Sequence, residues 1–294
     1  YLMEEDHDVF LQTVVGSQFL NNDIVFEKNE FKVLKYSEAQ NFNLNRDFSG
    51  EQYANRFAYG FNKGTGFVNT IKFDEEKQIH VSEGIESAVG RGFFVPKAGS
   101  KAILKWTSPS DGFANIKGKI EAQIDAKNVK ATILKNDEVI WPNTIDSKYY
   151  NSKAVAQVNK CDKIYFIVEG DGNLDTGKVF WDINIDLSPK AEIYEINQAF
   201  QTDGQASYKT WVAPYDGKAI VYGKTSSDGS IGSSAIVAIL RNDLGIWRQT
   251  LYGGSESEHF VEIDVKKNQV IKFVVEENPN AQNIVWTPNV LLIK

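Results

Sequence analysis

Apolar and polar residues alternate along this chain in short runs, and Gly, Pro, Asn and Asp punctuate them. Alternation with period two puts successive side chains on opposite faces, which marks half-buried strands. Such runs include Ala114–Gly118, Ile164–Val168, Val179–Ile185, Ala219–Gly223, Val270–Val275 and Ile284–Ile293. No stretch of about ten residues carries a helical period with caps. Val129–Trp141 reads as a hairpin around Asn136-Asp137, and Ile236–Trp247 repeats it around Asn242-Asp243. Asn and Asp tolerate the left-handed backbone that a tight primed turn needs. The expected fold is all-β.

The runs occur twice. Trp106-x-x-Pro109-x-Asp111-Gly112 answers Trp211-x-x-Pro214-x-Asp216-Gly217. Asn136-Asp137 leading to Ile140-Trp141 answers Asn242-Asp243 leading to Ile246-Trp247. Ile164-x-Phe166, Glu169 and Trp181 answer Ile271-x-Phe273, Glu276 and Trp286. An offset that drifts so little implies duplication. The architecture expected is two tandem antiparallel β-sandwiches of jelly-roll type. Residues 1–188 form the longer first domain, residues 189–294 the second, and Ser188-Pro189-Lys190 the boundary. The runs Phe10–Val15 and Ile24–Leu34 lie outside the repeat. The alternating aromatic stretch Arg56–Phe61 is assigned to the first domain.

With 294 residues the chain is long enough for two cores. A net charge of −7 argues against nucleic acid and anionic membrane surfaces. No apolar run is long enough to span a membrane. Cys161 is the single cysteine, so no intrachain disulfide forms. Tyr1 is not an initiator, so the chain reads as a fragment or a processed product.

The order Asp47-Phe48-Ser49-x-x-Gln52, an aromatic strand, Trp-x-x-Pro-x-Asp-Gly, Asn-Asp-x-x-Ile-Trp and a closing strand resembles β-sandwich accessory modules of secreted bacterial proteins. Such modules often stand beside polysaccharide-degrading domains. The resemblance runs from Asp47 to Asp186, and a truncated match covers Trp211–Ile293. It departs where Phe57 stands in place of a Trp, and where the second copy lacks the aromatic strand. It implies an extracellular or cell-surface, non-catalytic module that meets glycans, alongside other modules of a larger secreted protein.

Sugar binding needs flat aromatic faces, with amides, carboxylates and guanidinium groups for the hydroxyls. Trp106, Trp211, Trp181 and Trp286 are expected in the core, because both copies keep them. Trp141 and Trp247 each follow an Ile in a strand, so alternation turns them outward or under the next loop. That loop, Pro142–Lys153 or Arg248–Glu258, differs between copies and is where specificity is expected. The ligand-binding candidates are therefore Trp141, Tyr149, Tyr150 and Asn151 in the first copy, and Trp247, Arg248 and Tyr252 in the second. Asn143, Asp146, Gln249 and His259 are further polar groups of those loops.

Asp171-Gly-Asn173-Leu-Asp175 spaces oxygens as calcium loops do, but its Gly falls late for an EF-hand, no Glu follows at the right distance, and a plain turn between two strands is the preferred reading. No cofactor is expected otherwise. His7, His80 and His259 are scattered, and neither a zinc spacing nor a nucleophile elbow is present. The reading is a non-catalytic polysaccharide-binding protein. The alternative is a structural or adhesive surface protein whose aromatics all serve the core, and a carboxylate-dependent lyase or hydrolase ranks below both.

Overall fold

The computed structural model of the protein describes residues 24–27, 30–33, 40–62, 66–70, 72–81, 87–145, 149–227, 234–276 and 283–294, without the side chains of 24–27, 30–33, 143 and 144. Two compact units result, Tyr1–Glu38 and Ala39–Lys294. The described part of the first is an antiparallel hairpin, Ile24–Glu27 with Glu30–Val33. The expected run Phe10–Val15 lies outside the described residues.

The second unit is all-β and built from two antiparallel sheet pairs. In the first pair, a six-stranded sheet orders Glu138–Thr144, Lys127–Lys135, Lys163–Asp171, Lys101–Thr107, Phe57–Asn62 and Val68–Asn69. It faces an eight-stranded sheet that starts Tyr149–Val158, Gly112–Ala122, Val179–Ser188, Phe93–Val95. In the second pair, a five-stranded sheet orders Gln201–Thr202, Ser207–Val212, Val270–Glu276, Ser234–Arg241 and Leu244–Tyr252. Its partner is four-stranded: Ala191–Glu195, Ile284–Ile293, Gly217–Ser227 and Glu256–Val265. The seven duplicated strands pair in the same order in both. Trp106 lies opposite Ile164, and Trp211 opposite Ile271.

Each pair closes over its own core. In the first, Trp181 meets Phe166 edge-on at 5.6 Å and Trp141 at 6.0 Å. In the second, Trp286 meets Phe273 at 5.7 Å and Trp247 at 6.2 Å. Trp106, Trp181, Trp211 and Trp286 are all buried. The turns follow the sequence: Asn136, Asn242 and Asp243 adopt φ of 51°, 49° and 65°. Asp111 accepts the Lys160 N–H at 2.7 Å, and Asp216 the Lys267 N–H at 2.7 Å, so each pins the turn beside it.

Two expected loops are strands instead. Within Pro142–Lys153, one strand runs to Thr144 and an edge strand begins at Tyr149, while residues 146–148 lie outside the described residues. Within Arg248–Glu258, both Arg248–Tyr252 and Glu256–Glu258 are paired. Their polar residues mimic a loop because the solvent face of an edge strand is polar while its other face is covered.

The two pairs touch. Ile220 and Leu291 lie on the outer face of the four-stranded sheet, yet both are wholly buried. Beside them Glu262 accepts from Asn115 Nδ2 at 2.9 Å and forms ion pairs with Lys117 and, at 3.9 Å, Lys218. Lys153 Nζ stands 5.4 Å from the Phe260 ring centroid. One end of the eight-stranded sheet therefore rests on the second pair.

Candidate functional site

Trp141 and Trp247 do not form open platforms. Trp141 is buried at 7% exposure, and Trp247 is half-buried against His259 and Trp286. Strict alternation fails at both because the register shifts there. Ile133 faces Trp141 while Leu134 faces Val139, leaving Ile140 extra; Ile246 is extra in the second copy. A bulge turns two successive side chains toward one face. Ile140 and Trp141 both pack on the first core, as Ile246 and Trp247 do on the second. Tyr150 also faces inward, edge-on to Trp141 at 6.4 Å.

The inward turn of Tyr150 puts Tyr149 and Asn151 on the outer face. Tyr149 lies opposite Glu121, Glu121 opposite Phe180, and Phe180 opposite Phe93. The result is a row of three aromatic rings crossing four strands, roughly 14 Å from end to end at ordinary strand spacing. Tyr149 is 64% exposed and Phe180 38%. Phe93 and Phe180 meet at 6.1 Å. Gly90, opposite Phe93, makes room for this: a Cβ there would lie 2.2 Å from the Phe93 ring. Lys178 Nζ stands 4.9 Å from the same ring centroid.

A polar row runs beside the aromatic one, from Asn151 to Lys119 to Asp182. Asp182 accepts from Asn45 Nδ2 at 3.1 Å and Asn43 Nδ2 at 3.3 Å. Beyond it Asn43 donates to Asn184 at 2.8 Å, and Asn41 to Asp186 at 2.6 Å. The face thus offers ring surfaces bordered by amides, a carboxylate and an ammonium. Its composition suits C–H faces and hydroxyls together. Sequence reading found Tyr149 and Asn151 but missed Phe180, Phe93, Lys119 and Asp182. The signal was Val179-Phe180-Trp181-Asp182, where alternation sends Trp181 inward and leaves an aromatic among polar residues outside.

The equivalent face of the second pair lacks this row. Glu256, Ser226 and Val285 take the places of Tyr149, Glu121 and Phe180. Arg248 and Tyr252 lie on the outer face of the five-stranded sheet instead. Arg248 is ion-paired to Glu276, and Tyr252 is 65% exposed. The seven ligand candidates therefore divide between two faces and two cores. Of the other loop groups, His259 is buried, while Asn143 and Asp146 lie among side chains outside the described residues.

In the Asp171–Asp175 segment, Asn173 Oδ1 accepts the N–H of Asp175 at 2.9 Å and of Thr176 at 2.8 Å, as a side-chain-closed turn does. Among the described residues, no group of three His, Cys, Asp or Glu side chains could hold a metal ion. None of their helices is long and apolar enough to cross a membrane.

No family model matches the chain, and no curated protein matches it. Similar solved structures include the N-terminal CBM22-1–CBM22-2 tandem domain from Paenibacillus barcinonensis Xyn10C, at 11% identity over 86% of this chain and 95% of that one, with a TM-score of 0.28. The M60 catalytic domain with CBM51-1 and CBM51-2 from Clostridium perfringens ZmpB is 9% identical over 81% of this chain and 38% of that one, with a TM-score of 0.26. The plant peptide RALF23 complex with FER and LLG2 is 9% identical over 88% of this chain and 96% of that one, with a TM-score of 0.30. At such values nothing about ligand or activity follows from them.

Proposed function

We propose that this chain is a non-catalytic glycan-binding protein of the cell exterior, and that its principal site is the row Phe93–Phe180–Tyr149. The observation that carries this reading is the row itself. Three aromatic rings share one solvent-facing sheet surface, and Asn151, Lys119 and Asp182 run parallel to them. Tyr149 and Phe180 are exposed, while Phe93 is half-buried against the cluster of Ile79, Ala88 and Val95, and aromatic surface left in water in this way marks a binding surface. A polymer laid across the strands would put sugar faces on the rings and hydroxyls on the polar row. In this reading the sheet pairs are two modules that meet between Ser188 and Ala191, and the clamp at Glu262 keeps the row clear of the second module.

The test is affinity gel electrophoresis of wild type and Phe180→Ala over starch, xylan, glucans, pectins and mucin. Retardation by at least one polysaccharide, reduced in the variant, supports the reading. No retardation by any of them refutes it.

A structural or adhesive role is the second reading. It draws on the burial of Trp106, Trp141, Trp181, Trp211 and Trp286, which commits those rings to cores. Concentration-dependent assembly without retention on any glycan would establish it.

A further inference from the structure

The outer face of the five-stranded sheet carries a groove of about 230 Å³ whose lining includes Asp203, Tyr208, Leu240, Asp243, Lys272 and Val274. Alternation explains its floor. Ile239, Phe273 and Lys209 point between the sheets, so Leu240, Val274 and Tyr208 point out. Tyr208 lies opposite Val274, Val274 opposite Ala238, and Ala238 opposite Arg248. Arg248, a binding candidate from sequence, thus stands on the same cross-strand row as the groove's aromatic residue.

The matching face of the first pair is built differently. Ile103, Ile167, Leu134 and Tyr165 occupy the positions matching Tyr208, Val274, Leu240 and Lys272. Over them the chain lays its own ring. Phe67 contacts Tyr165 at 5.9 Å and sits where Gly60, opposite Ile103, leaves room; a Cβ on Gly60 would lie 2.4 Å from it. Lys105 Nζ is held 4.4 Å from the Phe67 centroid and 4.9 Å from that of Tyr53. Among the described residues, the same sheet face carries the Phe67 ring in one copy and the groove in the other.

The charges in the groove limit the occupant. Lys272 Nζ donates to Asp243 Oδ1 at 2.6 Å. Asp203 stands within electrostatic reach of Lys272. Its Oδ1 accepts the N–H of Ala206 at 2.9 Å and of Gln205 at 3.0 Å, which hold the carboxyl below the ordinary carboxylate range. Two carboxylates surround one ammonium, so the groove is net negative near neutral pH. An aromatic and aliphatic floor suits the C–H face of a sugar ring, and carboxylates accept from its hydroxyls. A ring bearing its own carboxylate would meet like charge.

Building on the glycan reading above, we propose that the Tyr208 groove is a second, separate subsite for one neutral pyranose ring, selective against uronic acids. Two subsites on one chain would bind a polymer more tightly than either alone.

The experiment is calorimetric titration of the full chain with xylohexaose, cellohexaose, maltohexaose, laminarihexaose and hexagalacturonic acid. Wild type, Phe180→Ala, Tyr208→Ala and Asp243→Asn are compared, with thermal midpoints confirming that each folds. The expected result is residual binding of a neutral hexaose to Phe180→Ala, weakened at least fivefold when Tyr208→Ala or Asp243→Asn is added, and no binding of hexagalacturonic acid. If Phe180→Ala abolishes all binding, the groove is not a site and the aromatic row stands alone. If Phe180→Ala changes nothing while Tyr208→Ala abolishes binding, the groove stands and the row falls. Preferred binding of hexagalacturonic acid, or unaltered binding in both groove variants, overturns the proposal, as does a failure of every hexaose to bind. Should Tyr208→Ala fail to fold, Asp243→Asn alone decides.

Discussion

Trp181 donates its indole N–H to Ser152 Oγ at 2.9 Å inside the first core, whereas the equivalent Trp286 meets the ring of His259 at 5.7 Å. Among the described residues, Trp286 Nε1 and both His259 ring nitrogens lack partners. Both copies keep the tryptophan, but its neighbour is a satisfied hydroxyl in one and an unsatisfied imidazole in the other.

That divergence makes the second pair sensitive to acid. Burial pushes His259 from 6.5 down to about 4. Between those values the unfolded chain binds a proton that the folded one refuses, so stability rises with pH across the window and is complete above it. Falling from pH 6.5 to 4 should remove about 3 kcal/mol. His259→Ser, which restores the first copy's arrangement, should flatten this slope. Urea midpoints from pH 4 to 8 check it, with His80 present in both proteins and cancelling. An unchanged slope would show that His259 is not the titrating group.

Glu262 is the hub of the contact between the sheet pairs. Desolvation raises its pKa, but hydrogen bonds from Lys117 and Asn115 and the charges of Lys117 and Lys218 outweigh that, so it lies below the ordinary range. Its stabilisation is present above the unfolded carboxyl pKa and lost as pH falls through the folded one. Glu262→Ala strands Asn115, which is buried, and Lys117. The expected cost is about 1.5–3 kcal/mol, smaller in high salt. Calorimetric scans at low and high ionic strength measure it.

Trp141→Ala should behave as a core truncation. With the ring buried against Trp181 and Tyr150, the loss is about 3–5 kcal/mol. A variant with an unchanged thermal midpoint would mean that the ring is dispensable to the core.

Phe180→Ala and Tyr149→Ala should change the thermal midpoint little, because solvent-facing substitutions usually stay within about 0.5 kcal/mol. Each should weaken retention on the bound polysaccharide roughly tenfold, or about 1.4 kcal/mol. Equal losses of stability and retention would assign the rings to packing.

Much of this architecture was legible in the residues. The short alternating runs foretold an all-β fold of antiparallel sheets, and Asn136 and Asn242 foretold the hairpins. What escaped were features that depend on partners distant in sequence. Nothing local to Ile140-Trp141 announces the register shift against Ile133 and Leu134, so the alternation rule pointed the ring the wrong way. Phe93 and Phe180 join Tyr149 only through pairings across the sheet. The groove owes its acid at one edge to the turn at Asp203, outside the repeated frame.

The extra residue before each of Trp141 and Trp247 also orders events in time. An insertion found at one place in both copies was inherited, so the lone ancestor had already sealed that tryptophan inside before its gene doubled. The outward rings are not shared: Phe180 and Tyr149 stand on one copy and Tyr208 on the other. The duplicated frame is thus common to both copies inside and differs between them outside.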